Sequence, residues 1–217
     1  GPLLDIVQKL DIIEIDNDLI GPLTQRFGQN PAFNLHHTDA LTFDYSQLME
    51  EENAYLRIVG NLPYNISSPL LFHLLKYARY IQDMHFMLQK EVVERMTAQP
   101  GIKAYGRLSV MIQYTCETEY LLTVGPENFT PPPKVDSAIV RLRPFQKRPF
   151  QAIDDKDFAK LVKQAFSQKR KTLRNNLKGL LNDEQIEACG LEPSVRAEKV
   201  SAEAFVKLSN LYHKDKV

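Results

Sequence analysis

Short apolar runs and amphipathic stretches take turns over the first two thirds of the chain. Residues 10–15 (LDIIEI) read as a strand and residues 18–27 as a helix. Residues 34–37 form a second short strand and residues 57–60 (RIVG) a third, after which Ser67 or Ser68 can cap a helix over 69–77. The run 83–89 (DMHFMLQ) is strand-like and leads into a helix from about residue 91 to 96. From 105 to 116 the spacing is helical, with Leu108, Met111 and Ile112 on one face. Residues 120–124 and 135–142 are again strand-like. Strands alternating with helices predict an α/β fold on a mostly parallel sheet. Only the loop 125–134 separates the last two strands, which allows an antiparallel hairpin at one end.

The pattern changes after Pro144. Arg148 and Pro149 continue a linker-like stretch, and from residue 155 onward only helical periodicity remains. Its apolar positions are Phe158, Leu161, Val162, Ala165 and Phe166, then Leu173, Leu177, Leu180 and Leu181, then Phe205, Leu208 and Leu211. This predicts a small all-helical domain, with a boundary that divides the chain into 1–145 and 146–217.

Charge sharpens that division. Residues 1–145 carry 12 basic and 17 acidic side chains, a net −5, whereas residues 146–217 carry 15 and 10, a net +5. An acidic front and a basic tail suggest that the tail faces a polyanion, although charge alone fits solvated helices equally well. Other features exclude functions. No apolar run approaches the roughly 18 residues of a membrane span, and no basic-then-apolar leader opens the chain. Cys116 and Cys189 belong to no CxxC pair, and His36 and His37, adjacent in a strand, point to opposite faces, so no metal site is expected. A cytoplasmic, monomeric protein with reduced thiols is expected.

The strongest candidate chemistry lies at Gly60, Asn61, Leu62, Pro63, Tyr64 and Asn65, between a predicted strand and a predicted helix. Ligands of open α/β sheets bind at such carboxyl ends of strands. An adenine amine is a poor nucleophile, because its lone pair is delocalised into the ring. Two acceptors aimed at its N–H groups stabilise the positive charge that develops on nitrogen. The Asn61 side-chain carbonyl can be one and the Leu62 backbone carbonyl the other, with Pro63 forcing Leu62 into extended backbone. Tyr64 offers a face on which a base can stack, worth roughly 1–3 kcal/mol. An ordinary turn fits the same residue types.

A second motif, 128–137 (NFTPPPKVDS), stiffens a loop with three prolines and could present Phe129 to the other face of a base; core packing of Phe129 is the alternative. Glu14, at a strand end, has the position of an acid that accepts from ribose hydroxyls, and Asp39 could accept from a cofactor's adenine amine. Asp16 and Asp18 fit helix N-caps. The run 168–176 (QKRKTLRNN) is basic with no neighbouring carboxylate in sequence, so Lys169, Arg170, Lys171 and Arg174 are candidate phosphate contacts.

Five segments occur in one order: 61–67 (NLPYNIS), 87–92 (MLQKEV), 105–110 (YGRLSV), 129–137 (FTPPPKVDS) and 169–174 (KRKTLR). Together they resemble the ribosomal RNA adenine dimethylases, specifically the bacterial KsgA-type enzymes of the small subunit, over nearly the whole chain. The resemblance implies a Rossmann-like methyltransferase domain with a small helical domain. It implies methyl transfer from S-adenosylmethionine to N6 of two adjacent adenosines near the 3′ end of small-subunit rRNA, on a 30S assembly intermediate. By position Asn61, Leu62, Tyr64 and Phe129 match the catalytic set, and Glu14, Asp39 and Asn61 the cofactor set. Arg107 joins the tail cations as an RNA contact.

The family's Gly-rich cofactor loop, and the strand before it, are not found in the sequence, which opens on Gly1 and Pro2 and goes almost directly to the strand ending near Glu14. A molecule lacking that strand is expected to be destabilised and to bind the cofactor weakly. Two other readings stay open on residues alone: a non-catalytic rRNA-binding assembly factor or fragment, and an adenine methyltransferase with another nucleic-acid target.

Overall fold

A computed structural model describes residues 1–49, 55–63 and 65–216. The chain forms two compact units, one of Gly1–Leu56 with Asn65–Tyr80, the other of Arg57–Tyr64 with Ile81–Val217.

In the first unit, strand β1 (Leu10–Glu14) leads through helix α1 (Asn17–Phe27) to strand β2 (Phe33–His37). Asp16 caps α1 by accepting from the Asp18 amide at 2.9 Å, so the first aspartate of the pair is the cap. β1 and β2 pair in parallel, from Leu10 opposite Phe33 to Glu14 opposite His37. Helix α2 (Ser67–Leu75) buries Leu70, Leu71 and Leu74. It starts earlier than expected: Ile66 is the capping residue, no side chain caps it, and both serines lie in the first turn. Pro69 falls in that turn as well, where a missing N–H costs nothing. Beside α2, the rings of Phe43, Tyr45, His73 and Tyr77 meet at 5.2–5.7 Å, and His73 Nε2 bonds the Phe43 carbonyl at 2.8 Å. Burial pushes the Tyr45 phenol up to about 12.

The second unit is built on a four-stranded sheet ordered β3 (Leu56–Asn61), β4 (Ile81–Gln89), β6 (Ser137–Pro144), β5 (Cys116–Val124). β6 runs antiparallel to both β4 and β5. The antiparallel pairing expected for the last two strands therefore extends to β4, and the sheet is mixed. β5 begins four residues before the expected start. Its first turns of sequence are polar because Glu117 and Glu119 face solvent and pair across the ladder with Arg143 and Arg141.

Helices α3 (Lys90–Thr97) and α4 (Arg107–Thr115) follow β4, and α5 (Asp155–Ala165), α6 (Leu173–Asn176), α7 (Asp183–Ala188) and α8 (Ala202–Lys216) complete the chain. Phe158, Leu161, Val162, Leu173, Leu177, Ile186, Phe205 and Leu208 form one fully buried cluster, joined by Tyr105, Val110 and Tyr114. α4 packs on α3 and β5 as well as α5 and α8. It therefore buries Val110 and Tyr114 along with Ile112, beyond the single face expected, while Leu108 and Met111 are only half-buried. No helix among the described residues is long and apolar enough to cross a membrane.

Cys116, the first residue of β5, is 1% exposed, and burial pushes its thiol up to about 12. The thiolate is the reactive form. Cys116 is expected to resist a disulfide reagent at pH 8 until denaturant unfolds the second unit. Rapid labelling of the native chain at this residue would contradict that placement.

Candidate active site

Three chain segments converge at one end of the four-stranded sheet. The Leu62 amide donates to the Met87 carbonyl at 3.1 Å, which sets the end of β3 beside the end of β4. Gln89, last in β4, stands opposite Ser137, first in β6, and the Lys90 amide donates to the Asp136 carbonyl at 3.0 Å. The proline-rich loop before β6 is thereby held at the edge where Asn61 emerges.

Gly60 stands next to last in β3, close against its neighbours. A Cβ there would stand 3.2 Å from the Leu62 side chain and 3.6 Å from the Phe86 ring, so its absence lets Leu62 fold back into the core, where it is 7% exposed. With side chain and amide both engaged, the Leu62 residue is fixed. Asn61 before it and Pro63 after it are exposed.

Asn61, Leu62 and Pro63 share a groove of about 270 Å³ with Phe129, Pro131 and Pro133. The structure thus brings together two motifs that lie 68 residues apart in sequence, from Asn61 to Phe129. Phe129 is half-buried in extended backbone, and the Thr130–Pro131 peptide is cis. The groove wall of Pro131 and Pro133 went beyond the sequence reading, which gave the prolines only a stiffening role. Tyr64 lies outside the described residues.

In the first unit, the ends of β1 and β2 are level, and the Thr38 amide donates to the Glu14 carbonyl at 3.0 Å. One oxygen of the Glu14 carboxylate accepts from the Ile15 and Asp16 amides, both at 2.9 Å. One oxygen of Asp39 accepts from the Leu41 amide at 2.8 Å. Both carboxylates are thus held by backbone at the carboxyl edge of a parallel pair. Among the described residues each keeps its second oxygen for another donor. Such acceptors suit a ligand that presents hydroxyl and amino groups.

The basic segment lies between α5 and α6. Lys169, Arg170 and Lys171 are exposed, and among the described residues none has a carboxylate partner. Arg174 corrects the expectation for this run. Its guanidinium grips Asp183 at the start of α7, Nε to Oδ1 at 2.8 Å and Nη2 to Oδ2 at 2.6 Å. The neutralising carboxylate comes from nine residues onward, beyond a local reading of charge. Arg107 opens α4 and is exposed.

A family model described as "Ribosomal RNA adenine dimethylase" matches residues 1–214. The ribosomal RNA small subunit methyltransferase A of Hydrogenovibrio crunogenus is 90% identical over 100% of this chain and 82% of its own length. The protein of that name from Pseudomonas aeruginosa is 56% identical, over 96% of this chain and 77% of its own. Among solved structures, a dimethyladenosine transferase from Plasmodium falciparum shares the fold, with a TM-score of 0.79 at 24% identity, covering 100% of this chain and 86% of that one. The 23S rRNA methyltransferase ErmE superposes with a TM-score of 0.73 at 25% identity, covering 97% and 84%.

Proposed function

The chain belongs to the ribosomal RNA adenine dimethylase family, and from that premise we propose that Asn61, Leu62 and Phe129 hold the target adenine in the groove at the end of β3. The enzyme has a Rossmann-like fold and dimethylates adenine at N6 in small-subunit rRNA, with S-adenosylmethionine as methyl donor.

The donor supplies an electrophilic methyl group on a sulfonium, so no strong base is needed at the amine. What this chain's residues contribute is position and electrostatics. The Asn61 amide oxygen and the Leu62 carbonyl accept from the two N–H groups of the adenine amine. This would draw the nitrogen lone pair out of the ring and stabilise charge as the N–C bond forms and the S–C bond of the sulfonium breaks to leave a neutral thioether, after which the nitrogen would release one proton to water. Phe129 stacks on one face of the base and Tyr64, by the motif resemblance it belongs to, takes the other. Glu14 accepts from the donor's ribose hydroxyls and Asp39 from its adenine amine. Lys169, Arg170 and Lys171 contact the RNA backbone, with Arg107 and Arg174 at the margin. Residues 1–145 carry methyl transfer and 146–217 RNA binding. The enzyme acts as a cytoplasmic monomer on a 30S assembly intermediate.

The common groove of Asn61, Leu62 and Phe129 is the observation that carries this reading. Its test is Phe129→Ala beside Phe129→Trp. Loss of one stacking face, worth roughly 1–3 kcal/mol, lowers kcat/KM by about 5- to 150-fold. The tryptophan variant, with a larger face, is expected to keep most of the activity. Equal activity of the alanine variant and the parent would remove Phe129 from the site.

A further inference from the structure

A second cavity, of about 440 Å³, is lined in part by the residues that directly follow the prolines of the loop. It is lined by Gln89, Lys90, Glu91 and Glu94 on one side and by Lys134 and Asp136 on the other. It adjoins the adenine groove through the covalent chain: Pro133 lines the groove and Lys134 the cavity, and the Met87 carbonyl that holds Leu62 lies two residues before Gln89.

The polar groups decide what could enter. Two of the three carboxylates are already matched, Asp136 by Lys90 at 3.4 Å and Glu91 by Arg95. Glu94 and Lys134 have no ionic partner among the described residues. Gln89 is the capping residue of α3, yet its carboxamide makes no capping bond, so it remains available. The unspent set is one carboxylate, one ammonium and one carboxamide. A bare phosphate would meet repulsion from Glu94. A nucleotide offers amine donors and ring acceptors to Glu94 and Gln89, and a phosphate to Lys134.

We infer that this cavity holds the nucleotide next to the target adenine in the same RNA strand, with Gln89 reading the edge of that base. The inference rests on the adenine-groove assignment above. It also gives the enzyme's substrate a physical basis: when one of two adjacent adenines occupies the groove, the other enters a pocket whose carboxamide pairs with an adenine edge through two hydrogen bonds. Lys134 fixes the linking phosphate, which sets register without reading sequence.

The test uses the 217-residue chain and two short single-stranded RNAs, one with two adjacent adenines and one with the neighbouring adenine replaced by uracil. Equilibrium affinities are measured by fluorescence anisotropy. The parent is expected to prefer the first RNA by roughly 5- to 150-fold. Gln89→Ala is expected to lose that preference, so that the two RNAs bind with nearly equal affinity. Lys134→Gln, on the exposed loop, is expected to weaken both RNAs alike and to lower the salt slope by about one contact. An unchanged preference in Gln89→Ala, or an equal loss on both RNAs, overturns the base-reading role; an unchanged salt slope in Lys134→Gln overturns the phosphate contact. Methylation by Asn61→Ala, assayed separately, reports on the adenine groove, so its failure is distinguishable from failure here.

Discussion

Asn61→Ala is expected to slow methyl transfer by about 10²- to 10³-fold, the usual cost of removing one preorganised group that stabilises transition-state charge. RNA affinity should hardly change, because the Asn61 bond to the adenine amine strengthens only as positive charge grows on nitrogen. The effect belongs in kcat, with KM for RNA nearly constant. Asn61→Asp tests the same point from the other side. It retains an acceptor oxygen in place, so it should keep more activity than the alanine variant. The position supports a catalytic reading over a structural one: Asn61 is the exposed last residue of β3, and the fold is held there by its neighbours, through Gly60 against Phe86 and the Leu62 amide on Met87. Removing the Asn61 side chain therefore should leave thermal stability intact. A variant that methylates at the parental rate, or one that merely unfolds, would take Asn61 out of the mechanism.

The parts of this molecule that sequence made visible are those whose signal is local. The apolar runs of β4 and β6 and the helical spacing of α5 and α8 declare themselves within a few residues, because burial follows the period of the element, while β1 shows only as a short apolar run that is half-buried throughout. Asn61 and Phe129 were legible as motifs, since prolines and a strand end restrict backbone geometry nearby. That they share one groove was not legible. It follows from the register of β4 against β6 and from the loop held by Lys90 and Asp136, both contacts between distant segments. The front of β5 was hidden for a similar reason: glutamates at 117 and 119 look like loop residues until arginines on the partner strand appear beside them. The α2 start was misplaced because Ser67 and Ser68 are good caps in isolation, while Ile66 takes the position in the folded chain. Arg174 failed as a free cation on the same ground, its partner Asp183 belonging to the next helix.

That last contact shapes the second large effect. Replacing Lys169, Arg170 and Lys171 together by glutamine should weaken RNA binding on the order of 10²-fold near 0.1 M salt and lower the slope of log affinity against log salt by about 2. The slope is the decisive readout. Each cation that neutralises a phosphate releases bound counterions, about 0.7 per contact on a single strand, whereas a charge that merely decorates a solvated surface releases none. Adding Arg174→Gln to the triple variant should change the slope by less than one further contact, because Asp183 already offsets much of that charge. Asp183→Asn in the parent should do the opposite and strengthen RNA binding slightly, by freeing the guanidinium for phosphate. The methylation rate on saturating RNA should survive in the triple variant, since none of the three residues lines the groove of Asn61 and Phe129. A triple variant with the parental salt slope would separate this segment from the RNA, and the excess of positive charge beyond residue 145 would then describe nothing more than solvated helices.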